Sequence, residues 1–128
     1  MAEQVRILMI DDEEPFSFFV KLNLETDPRF KVTTALRGDE GLKLAKSLKP
    51  DLILLDIMMP GMFGTEVAEM LLEDHRTENI PIIFLTAAIK KEEADTRDGQ
   101  IGGREFIAKP TTKEELISRI EAVLRMKK

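Results

Sequence analysis

Cysteine, tryptophan and tyrosine are absent from the 128 residues, and histidine occurs once. Without cysteine the chain has no disulfides, thiolate metal sites or cysteine nucleophiles, so its redox compartment is left open. Basic residues are fewer than acidic ones: the chain has 19 Lys and Arg and 24 Asp and Glu, which gives a formal net charge of -5. Non-specific binding to nucleic acid needs clustered cations beside phosphates. The composition therefore argues against direct contact with nucleic acid.

Long apolar segments are missing too. No apolar run approaches the roughly 18–20 residues of a membrane span, and the N-terminus lacks the basic start and long apolar core of a signal peptide. Hydrophobic residues make up 43% and charged residues 34%, which is ordinary for a globular domain. We expect one cytoplasmic domain over residues 1–128, with a core from about 5 to 126, no effector domain in this chain and no membrane contact.

Five short apolar runs alternate with segments of helical spacing. The runs are Val5–Ile10, Phe30–Leu36, Leu52–Leu55, Ile80–Leu85 and Glu105–Ala108. The third run, LILL, is apolar enough to be buried on both faces of a sheet. A β-α order repeated five times predicts an α/β fold, with a parallel sheet and helices on both of its faces.

The helical segments differ in how clearly they are marked. The first follows Pro15, a residue favoured in a first helical turn, and the last follows a Thr112-x-x-Glu115 capping box. The fourth, KKEEADTRDGQIGG, has few apolar residues and three glycines. Whether this fourth segment forms a stable helix stays open.

Polar side chains stand where the predicted strands end. Asp11 and Asp12 follow the first strand, Asp56 the third, Thr86 the fourth and Lys109 the fifth. The carboxyl ends of parallel strands share one edge of the sheet, so we expect these side chains to meet. Three carboxylates within ~4–5 Å repel one another unless one keeps a proton or a cation binds. Because this cluster supplies only oxygen ligands, Mg²⁺ fits it best.

These residue types suit phosphoryl transfer. A carboxylate can attack phosphorus and form an aspartyl-phosphate. Asp56 stands alone at the end of the middle strand and is the natural acceptor. Asp11 and Asp12 would hold the metal, Lys109 would pair with the phosphoryl group, and Thr86 would donate a hydrogen bond to it.

Four motifs, in order and spacing, resemble one known family. They are RILMIDDE, DLILLDIMMPGMFG, IPIIFLTA and FIAKP. Together they make the chain similar to the receiver domain of a two-component response regulator, over about residues 5–126. The resemblance implies a single doubly wound (βα)5 flavodoxin-like domain, whose five-stranded parallel sheet has the order 2-1-3-4-5.

The resemblance also implies a reaction and a metal site. Asp56 would be phosphorylated by a histidine kinase or a histidine phosphotransfer protein, with Mg²⁺ as the cofactor. The implied metal ligands are Asp12 directly, Asp11 through water, Asp56, and the main-chain carbonyl of Met58. Such a domain is a phosphoacceptor, with Mg²⁺-dependent self-phosphorylation and autodephosphorylation at most, rather than an enzyme.

A switch follows from the same resemblance. Lys109 would precede a cis peptide bond to Pro110, and Thr86 and Phe106 match the family's hydroxyl and aromatic switch positions. Thr86 would move toward the phosphoryl group and the Phe106 ring would turn inward. This population shift alters the surface of the fourth helix, fifth strand and fifth helix, where a downstream protein target or fused effector domain binds.

Two further apolar residues are candidates for docking. Phe18 and Leu22 lie one turn apart on the side of the first helix that should face solvent. Receivers commonly meet the phosphodonor through this helix, so the pair is a candidate docking stripe. Incidental exposure, or packing under the following turn, is the alternative.

Three other functions compete with this interpretation. A flavodoxin-like flavin binder would need hydroxyls and amides in its first loop, where this chain has DDEEP. An aspartyl-phosphate phosphohydrolase usually carries a second acid two residues beyond the nucleophile, and here that position is Met58. A degenerate receiver would act as a phosphorylation-independent docking module. The cognate kinase, the stimulus and the oligomeric state are not determined by the sequence.

Overall fold

A computed structural model of the protein describes residues 4–87, 100–101 and 104–126. Most of the predicted fourth helical segment lies outside the described residues. No helix in the described ranges is long and apolar enough to cross a membrane.

Six strands within the described residues form one sheet. They are β1 (Val5–Ile10), β2 (Phe30–Ala35), β3 (Leu52–Asp56), β4 (Ile82–Thr86), β5 (Gln100–Ile101) and β6 (Arg104–Ala108). The order across the sheet is β2-β1-β3-β4-β6-β5. All neighbours pair in parallel except β5, which pairs antiparallel with β6. The predicted parallel order 2-1-3-4-5 is confirmed, with β6 as its fifth strand. The two-residue β5 at the edge was not predicted.

Two strands end one residue later than predicted. Asp56 pairs with Leu85 in the β3–β4 ladder, and Thr86 pairs with Ala108 in the β4–β6 ladder. Backbone pairing does not depend on side-chain polarity, so the ladder runs on through both residues. Asp56 and Thr86 are therefore fixed within the sheet itself.

The helices divide between the two faces of the sheet. They are α1 (Glu14–Leu24), α2 (Gly38–Leu48), α3 (Gly64–Glu73) and α4 (Lys113–Leu124). Along β3, Leu52 and Leu54 join the buried cluster of α1 and α4, whereas Ile53 and Leu55 join that of α2 and α3. Successive strand residues point to opposite faces, which explains why LILL is wholly buried. The prediction of helices on both faces is confirmed.

Local sequence explains where α1 and α4 start. Pro15 lies in the first turn of α1, and the Thr112 hydroxyl accepts a hydrogen bond of 3.1 Å from the Glu115 backbone N–H at the start of α4. Met70 of α3 is 46% exposed. The buried face of α3 is centred on Val67, Ala68 and Leu71, which leaves Met70 at its margin.

Candidate functional site

The carboxyl edge of the central strands brings the predicted residues together. The Asp11 backbone N–H donates to the Ala35 carbonyl at 3.0 Å, which ties the end of β1 to the end of β2. The Lys109 backbone N–H donates to the Thr86 carbonyl, also at 3.0 Å. The side chains of Asp11, Asp56 and Lys109 thus start from a rigid hydrogen-bonded edge.

Three carboxylates form a tight cluster there. Asp11, Asp12 and Asp56 each offer an oxygen that lies within 4.8 Å of the others. Asp11 and Asp56 are buried, at 0% and 4% exposure, while Asp12 is half-buried. An ion entering the cluster from the Asp12 side would meet oxygen donors alone, in the arrangement that a hard divalent cation prefers.

Lys109 supplies a cation beside the cluster. Its Nζ donates to Asp11 Oδ2 and to Glu13 Oε1, both at 2.7 Å, and lies 3.6 Å from Asp56 Oδ1. It also lies 4.5 Å from the centroid of the Phe16 ring, within range of a cation–π contact. The ammonium is held close to Asp56 without a hydrogen bond to it.

Burial raises the pKa of Asp56 to about 6. The neighbouring charge of Asp11 and, more weakly, that of Asp12 act in the same direction, against the opposing effects of Lys109 and of a hydrogen bond from the Met58 backbone N–H. Burial also raises the pKa of Asp11, in spite of its hydrogen bonds from Lys109 and from the Glu13 backbone. Both shifts reflect the cost of crowding buried anions.

The pKa of Lys109 moves in the opposite sense to that of an isolated buried amine. Burial alone would disfavour the ammonium, but the hydrogen bonds to Asp11 and Glu13 outweigh it and raise the pKa. Lys109 therefore stays positively charged throughout the physiological range. A fixed positive charge of this kind suits neutralisation of a phosphoryl group.

The other predicted residues surround this core. Thr86 is fully buried at the end of β4. The Phe106 ring stacks on Phe84, with 5.2 Å between ring centroids. Met58 follows Asp56 by two residues, and its side chain is 59% exposed. The peptide bond between Lys109 and Pro110 is cis.

The candidate docking residues lie on the outer side of α1. Phe18 is 65% and Leu22 57% exposed. An open groove beside Phe18 is lined by Ser17, Lys21, Thr34 and Leu36, among others. Exposed apolar side chains thus continue from α1 toward the end of β2.

Three residues that matter to the geometry were not singled out from the sequence. Glu13 and Phe16 contact Lys109. Gly64 packs against the backbone of Asp56, where an added Cβ would lie 2.1 Å from the Asp56 carbonyl oxygen. In the sequence, Glu13 is marked only by the DDEE run and Gly64 only by the PGMFG motif. Neither pattern indicates a contact with a residue distant in the chain.

Comparison with known proteins places the chain in a family. The family model described as the response regulator receiver domain matches residues 7–121. The chain belongs to the receiver-domain family. Receiver domains are signalling modules of two-component systems, and they bind Mg²⁺ at an acidic pocket. The Asp11–Asp12–Asp56 cluster is such a pocket in its donor chemistry.

Individual relatives agree with this membership. The phosphate regulon transcriptional regulatory protein PhoB of Rhizobium meliloti (strain 1021) is 38% identical over 123 residues, which is 96% of this chain and 53% of that protein. Protein PilH of Pseudomonas aeruginosa is 37% identical over 120 residues, 93% of this chain and 97% of that protein. The chemotaxis protein CheY4 of Vibrio cholerae superposes with a TM-score of 0.79 at 26% identity, covering 94% of this chain and 98% of that one. The chain spans about half the length of the first curated relatives that it matches.

Proposed function

We propose that this receiver domain accepts a phosphoryl group on Asp56 from the phosphohistidine of a histidine kinase or histidine phosphotransfer protein. The observation that carries the proposal is the position of Asp56, buried between two other carboxylates and 3.6 Å from the Lys109 ammonium. A raised pKa makes the Asp56 oxygen more basic, and the adjacent cation favours an incoming phosphoryl anion.

Each neighbour of Asp56 has a separate part in the transfer. An Asp56 oxygen forms the new bond to phosphorus as the donor's bond to phosphorus breaks. Lys109 pairs with a phosphoryl oxygen, and the Thr86 hydroxyl donates to another. Asp11, Asp12, Asp56 and the Met58 carbonyl would hold Mg²⁺, which, when bound, supplies positive charge beside the phosphoryl oxygens. The short separations of the three carboxylates support their part in this ligand set.

The signal would leave the site through Thr86 and Phe106. Thr86 pairs with Ala108, two residues beyond Phe106 on β6, so the hydroxyl and the ring project from the same face of adjacent strands. Phe106 would turn inward as Thr86 approaches the phosphoryl group, and the surface built from the predicted fourth helix, β6 and α4 would change. The fourth predicted helix lies outside the described residues, so support for this step comes from β4 and β6.

Phosphodonor docking is assigned to Phe18 and Leu22. Both are exposed on α1, whose first turn follows the Asp11–Asp12 loop. A helix of the donor lying along this pair would bring its phosphohistidine toward the edge that holds Asp56. The neighbouring groove lined by Leu36 extends the apolar area in the same region.

We place the phosphorylation of this domain in the cytoplasm, where ATP feeds the kinases. Its output would pass to a protein that contacts the switch surface, either a separate target or a fused effector. The relatives include both long and short proteins. PhoB is named a transcriptional regulatory protein and extends well beyond the matched region, whereas PilH is matched over nearly its whole length.

Incubation with acetyl phosphate and Mg²⁺, followed by intact mass spectrometry, tests the proposal. We expect a mass increase of one phosphoryl group that disappears when EDTA replaces Mg²⁺. No mass increase would favour the phosphorylation-independent docking module. Sustained phosphate release from unrelated phosphate esters, without a stable phosphoprotein, would favour a phosphohydrolase instead.

A further inference from the structure

The Lys109 ammonium has a second anionic partner besides Asp11. Glu13 Oε1 accepts a hydrogen bond of 2.7 Å from Lys109 Nζ. The Lys109 side chain is only 9% exposed, while that of Glu13 is 61% exposed. Glu13 thus closes the solvent side of a buried cation. This contact occupies one of the three N–H donors of Lys109 and restrains the position of the ammonium.

The local backbone fixes Glu13 in this position. Its N–H donates to Asp11 Oδ1 at 2.8 Å, so the two oxygens of Asp11 hold the Glu13 backbone and the Lys109 ammonium at once. The Glu13 carbonyl accepts from the Ser17 N–H at 2.9 Å as α1 begins. The Phe16 ring, one turn along, lies 4.5 Å from the same ammonium. The Lys109 ammonium is therefore held by hydrogen bonds to Asp11 and Glu13 and by a cation–π contact with Phe16.

We propose that Glu13 is a positioning residue that holds Lys109 in the unphosphorylated protein and releases it to the phosphoryl group on Asp56. The inference rests on the proposed function, because it needs Asp56 to be the phosphoacceptor. At 3.6 Å, Lys109 Nζ is beyond hydrogen-bond distance of Asp56 Oδ1, and its hydrogen bonds go to Asp11 and Glu13 instead. A phosphoryl oxygen on Asp56 would compete with Glu13 for the ammonium.

The exposure of Glu13 determines how strongly its charge should affect the rate of phosphorylation. An ion pair with one exposed member is weak, so Lys109 can readily exchange Glu13 for another anionic partner. Removing the Glu13 charge takes away a contact present in the resting protein and absent once Lys109 has moved. Transfer to Asp56 should therefore become faster by about two- to fivefold, rather than being lost.

The first measurement is the initial rate of phosphorylation by subsaturating acetyl phosphate with Mg²⁺, followed by intact mass. In this reaction an Asp56 oxygen bonds to phosphorus, the bond from phosphorus to the acetyl oxygen breaks, and acetate leaves with the electron pair. We expect Glu13→Gln to react about two- to fivefold faster than wild type. Glu14→Gln is the matched control, because it removes the same charge from the next residue, which is exposed. It should react at close to the wild-type rate.

The second measurement needs no phosphorylation. In ¹⁵N-lysine-labelled protein without donor, the hydrogen-bonded Lys109 ammonium should give a distinct Nζ resonance, identified by its loss in Lys109→Arg. Glu13→Gln should shift or broaden this resonance, and Glu14→Gln should leave it in place.

These outcomes separate the two ideas. If wild type takes up no phosphoryl group, the proposed function is wrong, and so is the role of Glu13 in transfer. If Glu13→Gln still moves the Lys109 resonance in that case, the contact between Glu13 and Lys109 in the unphosphorylated protein is confirmed. If wild type is phosphorylated and Glu13→Gln reacts no faster than Glu14→Gln, the positioning role of Glu13 is overturned. An unchanged Lys109 resonance in Glu13→Gln also overturns it.

Discussion

Lys109 Nζ lies 3.6 Å from Oδ1 of Asp56, close enough for strong attraction but too far for a hydrogen bond. Two parallel strands create this relationship, because Asp56 ends β3 and Lys109 follows β6 on the far side of β4. The ammonium is thus held beside the carboxylate, while its hydrogen bonds go to Asp11 and Glu13.

The raised pKa of Asp56 predicts a pH-dependent stability. Its pKa is 3.8 in an ordinary setting and about 6 here, so the folded protein keeps a proton that the unfolded chain has lost. The contribution of Asp56 to the free energy of unfolding should fall as pH rises from about 4 to about 6, by up to about 3 kcal/mol. Chemical denaturation in EDTA at several pH values measures it.

Asp56→Asn is the matched comparison for this prediction. The amide cannot ionise, so the variant should gain stability relative to wild type as pH rises through the same window. Carboxyls whose pKa is lowered, such as Asp74 and Asp27, contribute equally to both proteins and cancel in the difference. A difference that stays constant from pH 4 to pH 7 would show that burial does not penalise the Asp56 charge.

Binding of Mg²⁺ should stabilise the protein at neutral pH. A ligand that binds only the folded state at ten times its Kd adds about 1.4 kcal/mol, or about 5 °C in melting temperature for a domain of this size. Asp12→Asn should remove most of this increment, since it takes away the carboxylate through which the cluster opens to solvent. Glu69→Gln, an equal charge change at an exposed position of α3, should keep it. An equal increment in all three proteins would mean that Mg²⁺ binds elsewhere.

The sequence predicted the meeting of Asp11, Asp12 and Asp56 because one physical rule decides it. Parallel strands present their carboxyl ends at the same edge, so recognising the strands was enough. The Glu13 contact with Lys109 could not be predicted in this way. It depends on which rotamer an exposed side chain adopts toward a residue 96 positions away.

Errors in the sequence interpretation had local causes. The short strand β5 has two residues, too few for any hydrophobic period to be visible. The apolar runs end at Leu55 and Leu85, whereas β3 and β4 continue for one more residue each. Side-chain polarity marks the end of an apolar run but not the end of backbone pairing.

Gly64 should be irreplaceable for a backbone reason. An alanine Cβ there would lie 2.1 Å from the Asp56 carbonyl oxygen and 2.9 Å from Ile57 Cα, and neither atom is at the end of a flexible side chain. We expect Gly64→Ala to cost about 1–3 kcal/mol in unfolding free energy and to slow phosphorylation by displacing Asp56. Thr65→Ala, at the next and exposed position, is the control. Wild-type stability and phosphorylation rate in Gly64→Ala would contradict the close approach.

The docking assignment predicts a selective defect. Phe18→Ala combined with Leu22→Ala should slow transfer from a kinase or phosphotransfer protein that phosphorylates wild type, by about tenfold if each side chain anchors the complex. Phosphorylation by acetyl phosphate should be nearly unchanged, because the chemistry at Asp56 is untouched. The control is the pair Met70→Ala and Leu72→Ala, two exposed apolar residues of α3. If both donors slow together, or neither does, Phe18 and Leu22 are not a docking stripe.

Asp56, rather than Asp11 or Asp12, is the residue to which we assign the phosphoryl group. After incubation with acetyl phosphate and Mg²⁺, reduction with borohydride converts an aspartyl-phosphate to homoserine, which peptide mass spectrometry locates. We expect homoserine at position 56 alone, and no phosphoryl uptake by Asp56→Asn. Homoserine at position 11 or 12 of wild type, or undiminished uptake by Asp56→Asn, would contradict it.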